Sequence, residues 1–247
     1  EPATMPHSSV EASFTSVYKK QQWGQEGAGS GPGSSEVSAA GASRILFHVI
    51  MMFNVNSMID APCGGMVWQA PLLNQLVHAV PGFRYLGIDV VGSVISRNER
   101  RFSTQWSIHK NVSKVNPGFA IQFAQADLAS KDWSTPPGFD LIFCRDALQH
   151  NKLTDVWRIL RHFADSDANY ILVGSYPDGS MYCRYTEDGS PNINLSHTGG
   201  FFCVDLQRTP FNLSPTKVFR EGTHDRKTLY LFERSALRRQ LQARASQ

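Results

Sequence analysis

The sequence predicts an α/β fold in which a mostly parallel sheet carries helices on both faces. Two observations predict it. Short apolar runs alternate with amphipathic stretches along most of the chain, which is the order expected of strand–helix units. Glycine and acidic residues stand at the ends of several apolar runs, and in an open parallel sheet ligands bind outside those ends. The 247 residues suffice for one such domain with an N-terminal extension.

Composition narrows the class of protein. Hydrophobic residues make up 41% and charged residues 18% of the chain, which is typical of a globular protein. The net charge is +3, and the only dense basic run, 234–244, is interpreted as a solvated helix rather than a nucleic-acid surface. No apolar stretch is long enough to span a bilayer and no signal-peptide pattern opens the chain. We expect a soluble protein of the cytoplasm or an organelle rather than a secreted one.

The elements follow in order along the chain. Glycine and proline punctuate 27–35, so 1–35 is predicted to be a flexible loop-like extension. A helix is expected from 36 to about 54, with Ser34 or Ser35 as N-cap. The predicted strands are 57–61, 84–90, 120–125, 139–144 and 170–175, and the predicted helices between them are 67–79, 92–105 and 154–164. Runs 216–221 and 228–233 predict a hairpin that completes the sheet. The main domain is thus 36–235, followed by a basic tail, 236–247.

The first predicted strand ends in a glycine turn, formed by Asp60, Ala61, Pro62, Cys63, Gly64 and Gly65. Glycine lets the backbone approach a bound nucleotide or amino-acid group, and the following helix offers unpaired N–H groups to a carboxylate. A purely structural strand-to-helix turn explains this segment equally well.

The next two strands end in acidic residues. Asp89 stands where a carboxylate can accept hydrogen bonds from both hydroxyls of a ribose, although an aspartate there can also cap a helix. Asp127 is placed to bind the exocyclic amine of an adenine, with Leu128 packed on the ring. Three acidic strand ends in register favour a nucleotide site over coincidence.

The fourth predicted strand leads into a polar segment at the centre of the sheet, which contains Cys144, Arg145, Asp146 and His150. His150 is a candidate general base near neutral pH, and Asp146 can orient it or contact the substrate. An Arg145–Asp146 ion pair that merely fixes the loop remains an equal alternative.

Several motifs together resemble a poorly characterised family of class I S-adenosylmethionine (SAM)-dependent methyltransferases. The resemblance covers about 18–233 and rests on Trp23-Gly24, 30–34, 60–64 with Trp68, 87–89, and 144–146 with Leu148 and His150. It implies a Rossmann-like sheet of seven strands, the last antiparallel. It also implies that Asp60, Ala61 and Gly64 lie against the methionine part of SAM, that Asp89 holds the ribose, and that Asp127 and Leu128 flank the adenine. An acidic or polar residue is expected after Gly64, where this chain has Gly65, Met66 and Val67.

Three functions follow as hypotheses. The first is a methyltransferase that uses SAM and acts on a small molecule, a glycan or a protein side chain, with His150 and Asp146 as catalytic residues when the acceptor is a hydroxyl. The second is a methyltransferase-like subunit without activity, held among protein partners. The third, a nicotinamide-dependent oxidoreductase, lacks the Gly-x-Gly-x-x-Gly turn.

The sequence also carries expectations about the acceptor and the cysteines. The segment 176–206 is the expected acceptor platform, on account of Tyr182, Tyr185, Asn192, His197 and Phe201; packing of a small subdomain explains these residues equally well. The four cysteines form no Cys-x-x-Cys pair, so we expect free thiols and no metal site.

Overall fold

The computed structural model describes residues 9–104, 115–177, 192–222 and 227–245. These residues form a seven-stranded sheet with helices on both sides. The strands are β1 (Ser57–Asp60), β2 (Arg84–Asp89), β3 (Ala120–Gln125), β4 (Leu141–Cys144), β5 (Tyr170–Ser175), β6 (Lys217–Arg220) and β7 (Thr228–Glu233). The helices are α1 (Ser9–Lys19), α2 (Ala40–Met52), α3 (Gln69–Ala79), α4 (Gly92–Thr104), α5 (Leu153–Asp165) and α6 (Arg234–Ala245).

The sheet order is β3-β2-β1-β4-β5-β7-β6. The first five strands are parallel, and β7 runs antiparallel between β5 and β6. This arrangement confirms the predicted Rossmann-like α/β fold. Because β1 lies between β2 and β4, the direction of winding reverses at β1, and a crevice forms outside the carboxyl ends of the strands there.

Alternation along the strands builds two cores, one on each face of the sheet. On β1, Met58 belongs to the core under α2, α3 and α4, whereas Ile59 belongs to the core under α5 and α6. Strands β1 and β4 are buried on both faces, as is expected of central parallel strands. The site therefore rests on a rigid, fully packed centre.

The two ends of the chain differ from the sequence-based expectation. Helix α1 and two short 3₁₀ turns, Glu26–Gly29 and Pro32–Ser34, form within the stretch expected to be a loop. Helix α6 is present as predicted for the basic run, but it is docked through Leu237 and Leu241, which are 0% and 3% exposed. Two leucines spaced four residues apart supply the apolar stripe that packs it into the core shared by α5 and the sheet.

The cysteines also differ from the expectation. Cys63 and Cys144 are free and buried, whereas Cys203 is disulfide-bonded. The expectation of free thiols was wrong for Cys203, because sequence spacing does not reveal which distant cysteines the fold brings together.

Candidate functional site

A cavity opens at the carboxyl ends of β1, β2 and β4, above the point where the sheet reverses its winding. It encloses about 860 Å³ of empty space, part of it open to solvent. The strand ends supply one wall through Asp60, Asp89 and Asp127, and helix α1 supplies the opposite wall through Val10, Phe14 and Tyr18. The three acidic strand ends predicted from the sequence therefore share one cavity.

Asp60 lies at the base of this cavity and is 1% exposed. Its Oδ2 accepts hydrogen bonds from the Tyr85 hydroxyl at 2.6 Å and from Gln69 Nε2 at 3.1 Å. Burial raises the pKa of Asp60 to about 7, although both hydrogen bonds oppose this rise. A positively charged group in the cavity would stabilise the ionised carboxylate.

Gln69, at the start of α3, leaves a buried acceptor beside Asp60. Its Nε2 donates both to Asp60 and to the Cys63 carbonyl, at 2.9 Å, so the amide cannot be reversed without losing both bonds. Its Oε1 is buried and has no hydrogen-bond partner among the described residues. A buried acceptor without a partner is costly, and this one lines a cavity that a donor can enter. Gln69 was not predicted from the sequence, because it belongs to no recognisable motif.

Asp89, at the end of β2, is 4% exposed. Its Oδ1 accepts from the Val91 amide at 2.9 Å and its Oδ2 from the Gly64 amide at 3.1 Å. Burial raises the pKa of Asp89 to about 6, although the hydrogen bonds from these backbone amides oppose the rise. Each oxygen retains a lone pair, so the carboxylate can still accept from a ligand. Asp89 thus joins the glycine turn of β1 to the end of β2.

Asp127 and Leu128 follow β3 on the same side of the cavity. Asp127 Oδ1 accepts from the Ala129 amide at 2.9 Å, which fixes the carboxylate in the turn. Leu128 is 8% exposed, and its carbonyl bonds to Nδ1 of His162 at 3.0 Å. A carboxylate and an apolar side chain therefore line the cavity after β3, the strand that pairs with the one ending in Asp89.

Arg145 and Asp146, after β4, belong to a buried network of charges. The Arg145 guanidinium bonds to Glu221 through Nε and Nη2, the latter at 2.7 Å, and to Asp146 Oδ2 at 3.0 Å. Asp146 also accepts from Lys227 Nζ and from the Tyr176 hydroxyl, both at 2.8 Å. Against the effect of burial, Arg145 and Lys227 hold the pKa of Asp146 well below its usual range. Both oxygens of Asp146 are thus engaged by partners within this network.

His150 lies on the 3₁₀ turn Leu148–His150 at the rim of the cavity. Its Nδ1 is 2.6 Å from the Gly200 carbonyl. Since a carbonyl only accepts, Nδ1 carries the proton and Nε2 keeps its lone pair in the neutral ring. Burial lowers the pKa of His150, so the ring is neutral at pH 7. The Gly200 carbonyl, and not Asp146, therefore orients this ring.

Aromatic side chains surround His150. The Trp23 ring lies 4.5 Å from the imidazole centroid at an interplanar angle of 32°, and Phe201 lies 5.8 Å away. Phe201 is 47% exposed although it is large and apolar. His150 thus lines the cavity while packed between Trp23 and a half-exposed Phe201.

Not every residue of the predicted site lines the cavity. Pro62, Cys63 and Gly64 do, whereas Ala61, Gly65 and Cys144 are buried behind it. Burial raises the pKa of the Cys144 thiol above its ordinary value, which keeps the thiol protonated.

The predicted acceptor platform is only partly described. Tyr182 and Tyr185 lie outside the described residues. Asn192 is buried and bonds to the backbone of Asp205 and Thr209, which is a packing role. Phe201 is the platform residue that the structure places next to His150.

The N-terminal segment supplies a further set of contacts to the glycine turn. Ser30 Oγ lies 2.7 Å from the Tyr18 hydroxyl and accepts from the Gly65 amide at 2.9 Å. A Cβ on Gly65 would lie 2.4 Å from the Gly27 carbonyl oxygen and 2.8 Å from Ala28 Cβ. The space for a side chain after Gly64 is thus occupied by the N-terminal segment. Trp23-Gly24 and 30–34 were predicted as motifs of the resemblance, but their contacts with the glycine turn were not.

Within the described residues, no group of three or more His, Cys, Asp or Glu side chains is arranged to hold a metal ion. No described helix is both long and apolar enough to cross a membrane.

Comparison with solved structures identifies the fold. The N-methyltransferase NodS from Bradyrhizobium japonicum WM9, solved with S-adenosylhomocysteine (SAH), superposes with a TM-score of 0.54 at 16% identity, over 88% of this chain and 97% of NodS. The magnesium protoporphyrin IX methyltransferase ChlM from Synechocystis PCC 6803, also with SAH, gives a TM-score of 0.54 at 12% identity, over 90% and 96%. The fold is that of SAM-dependent methyltransferases.

Other neighbours share the fold over part of their length. The mitomycin 7-O-methyltransferase MmcR gives a TM-score of 0.54 at 17% identity; 81% of this chain is covered, but only 55% of MmcR. The chain likewise spans 62% of PigF, which was solved with SAH. No protein-family model and no curated protein matches the sequence.

Proposed function

We propose that this protein is a SAM-dependent methyltransferase and that SAM binds in the cavity at the reversal point of the sheet. The observation that carries the proposal is the convergence of Asp60, Asp89 and Asp127 on one cavity in a fold whose neighbours are methyltransferases solved with SAM or SAH. When bound, SAM supplies a methyl group already activated on a positively charged sulfur.

The residues present fit this cofactor. The Asp60 carboxylate and the unpartnered Gln69 Oε1 suit the ammonium of its methionine part. The free lone pairs of Asp89 suit the ribose hydroxyls, and Asp127 with Leu128 suits the adenine. Pro62, Cys63 and Gly64 would line the methionine part, while Ala61, Gly65, Cys144 and Arg145 hold the walls in place.

We infer further that the acceptor presents a hydroxyl group. His150 keeps Nε2 unprotonated because Gly200 holds the proton of Nδ1, so Nε2 can take the proton that a hydroxyl loses as its oxygen bonds to the methyl carbon. An unprotonated amine or a carboxylate needs no such base. Asp146, with both oxygens in the ion network, positions the segment that carries His150.

Isotope-labelled SAM tests this function directly. Purified protein and methyl-labelled SAM are added to a native extract, and labelled products are identified by mass spectrometry. We expect O-methylated products that are absent when the protein is omitted. A set of products labelled only on nitrogen or carboxylate would contradict the hydroxyl assignment, and no labelled product would contradict the activity.

With a product in hand, His150→Gln tests the base. We expect turnover to fall about a hundredfold, in the range of general-base catalysis, while the Kd for SAM stays within about twofold. His78→Gln, on an exposed part of α3, is the matched control and should leave both unchanged. At saturating SAM, the rate should stay level through neutral pH and fall only as acid protonates His150 below its ordinary pKa. An equal loss of SAM affinity in His150→Gln would show that His150 shapes the cofactor site.

A methyltransferase-like subunit without activity would also carry this fold. Nothing in the described cavity favours it, because the strand-end carboxylates and Gln69 remain in place.

A further inference from the structure

The two amides of the glycine turn already have acceptors within the protein. The Gly64 amide donates to Asp89 Oδ2 at 3.1 Å, and the Gly65 amide donates to Ser30 Oγ at 2.9 Å. Glycine-turn amides are the usual donors to an anionic group at such a site. An anionic group in the cavity must therefore find hydrogen-bond donors other than these two amides.

The Tyr18–Ser30 hydroxyl pair carries two protons, and only one of them lies in a hydrogen bond between the two hydroxyls. Each hydroxyl carries one proton and can accept two hydrogen bonds. One proton lies in the 2.7 Å bond between the two oxygens, and Ser30 Oγ also accepts from Gly65. Whichever hydroxyl donates in that bond, the proton of the other has no acceptor among the described residues. The pair can therefore donate one further hydrogen bond to a ligand.

The pair stands directly over the glycine turn. A Cβ on Gly64 would lie 2.8 Å from Ser30 Oγ and 3.8 Å from the Tyr18 hydroxyl oxygen, and both side chains line the cavity. Burial and the nearby Asp89 charge raise the pKa of Tyr18 above its ordinary value, so its hydroxyl stays protonated at neutral pH. Asp60 and Gln69, the groups suited to an ammonium, line the same cavity.

We propose that the Tyr18–Ser30 pair binds the carboxylate of the amino-acid end of SAM, so that the N-terminal segment distinguishes the cofactor from analogues without that carboxylate. The proposal rests on the proposed function. A carboxylate accepts the leftover hydroxyl proton in a charge-assisted hydrogen bond. The acidic or polar residue expected after Gly64 is absent here, and this pair occupies the adjoining space.

Decarboxylated SAM provides the sharpest probe, because it lacks only the carboxylate. Isothermal titration measures the Kd of SAM and of decarboxylated SAM for the wild type and for the double variant Tyr18→Phe/Ser30→Ala. We expect the wild type to prefer SAM by about tenfold or more. In the double variant, SAM should lose about that factor, whereas the Kd of decarboxylated SAM should stay within about twofold.

The same titrations separate the possible failures. Binding of decarboxylated SAM shows that the double variant keeps a folded cavity. An equal loss for both ligands, or no loss for SAM, would overturn the carboxylate assignment and leave the proposed function standing. If the wild type binds neither ligand, the proposed function is wrong and the inference falls with it.

Discussion

Gly65 begins the stretch, Gly65 to Val67, in which this chain differs from the pattern of the methyltransferase family that it resembles. An acidic or polar side chain is expected there, and the structure gives the difference a steric reason. The Gly27 carbonyl and Ala28 Cβ occupy the space where a side chain would begin. Arg97 fixes this arrangement by donating to the Ala28 carbonyl at 3.0 Å. The absence of a side chain at Gly65 is therefore what allows the N-terminal segment to pack on the glycine turn.

Substitutions of Gly65 distinguish a missing acidic group at the site from a steric requirement for glycine. Because the clash begins at Cβ, we expect Gly65→Ala and Gly65→Asp both to lower the free energy of unfolding by roughly 1–3 kcal/mol, the usual cost of overpacking. Both should also weaken SAM binding, because the segment that they displace lines the cavity. The measurement is isothermal titration, with thermal melting to follow stability. If Gly65→Asp instead binds SAM more tightly than the wild type while Gly65→Ala does not, an acidic group is missing from the site.

At the same scale, some site residues could be predicted and others could not. Asp60, Asp89 and Asp127 were predictable because each ends an apolar run, and parallel strands bring such ends to one edge. Gln69 and Tyr18 were not predicted because their roles depend on partners brought in by folding. The loop 30–34 was part of the resemblance, but the contact of Ser30 with the glycine turn was not predicted. The bond between the Gly65 amide and Ser30 crosses 35 residues, and no sequence spacing reports such a contact.

Among the elements, β4 and the end of β6 are joined by buried charges. Arg145 follows β4 and Glu221 follows β6, and their side chains are 3% and 4% exposed. Helix α2 packs tightly on the same place, since a Cβ on Gly41 would fall 1.8 Å from the Glu221 carbonyl oxygen. Arg145 also donates to the Gly33 carbonyl at 3.0 Å. One guanidinium thus links the sheet to the N-terminal segment.

Glu221→Ala tests how much the Arg145–Glu221 ion pair contributes to the stability of the fold. The change leaves the Arg145 charge buried with one carboxylate partner instead of two, so we expect the free energy of unfolding to fall by about 3 kcal/mol. Urea denaturation followed by circular dichroism measures it. Glu233→Gln, an exposed glutamate at the end of β7, should change it by less than about 0.5 kcal/mol. A loss in Glu221→Ala no larger than in this control would contradict the structural role of the pair.

Element prediction was most accurate where hydrophobic periodicity is strong. Strands β3, β5 and β7 have the predicted bounds, because each is a short apolar run bounded by turn residues. Helix α1 was missed because a serine- and glycine-rich neighbourhood obscures its apolar face, which becomes clear only where Val10, Phe14 and Tyr18 meet the cavity. A helix this short is marginal on its own in water and is stabilised mostly by tertiary packing.

For the whole molecule, the parallel strands and the helices on both faces followed from the alternation of strands and helices, and the antiparallel last strand of seven followed from the resemblance. The strand order β3-β2-β1-β4-β5-β7-β6 was not predicted. A main domain of 36–235 was expected, but Val10, Phe14, Tyr18, Trp23 and Ser30 line the cavity. We propose that the methyltransferase unit includes the N-terminal segment. The segment lines one side of the cavity and brings Trp23 against His150.

The titration of SAM into the wild type and into Asp89→Ala tests the central claim most directly. Asp89 joins the glycine turn to β2 and keeps a lone pair on each oxygen, which under the proposed function would accept from the ribose. We expect the wild type to bind SAM, and Asp89→Ala to lose about 2 kcal/mol of binding free energy, while the exposed control Asp132→Ala binds as the wild type does. Unchanged affinity in a folded Asp89→Ala variant, or no binding by the wild type, would contradict the placement of SAM in this cavity.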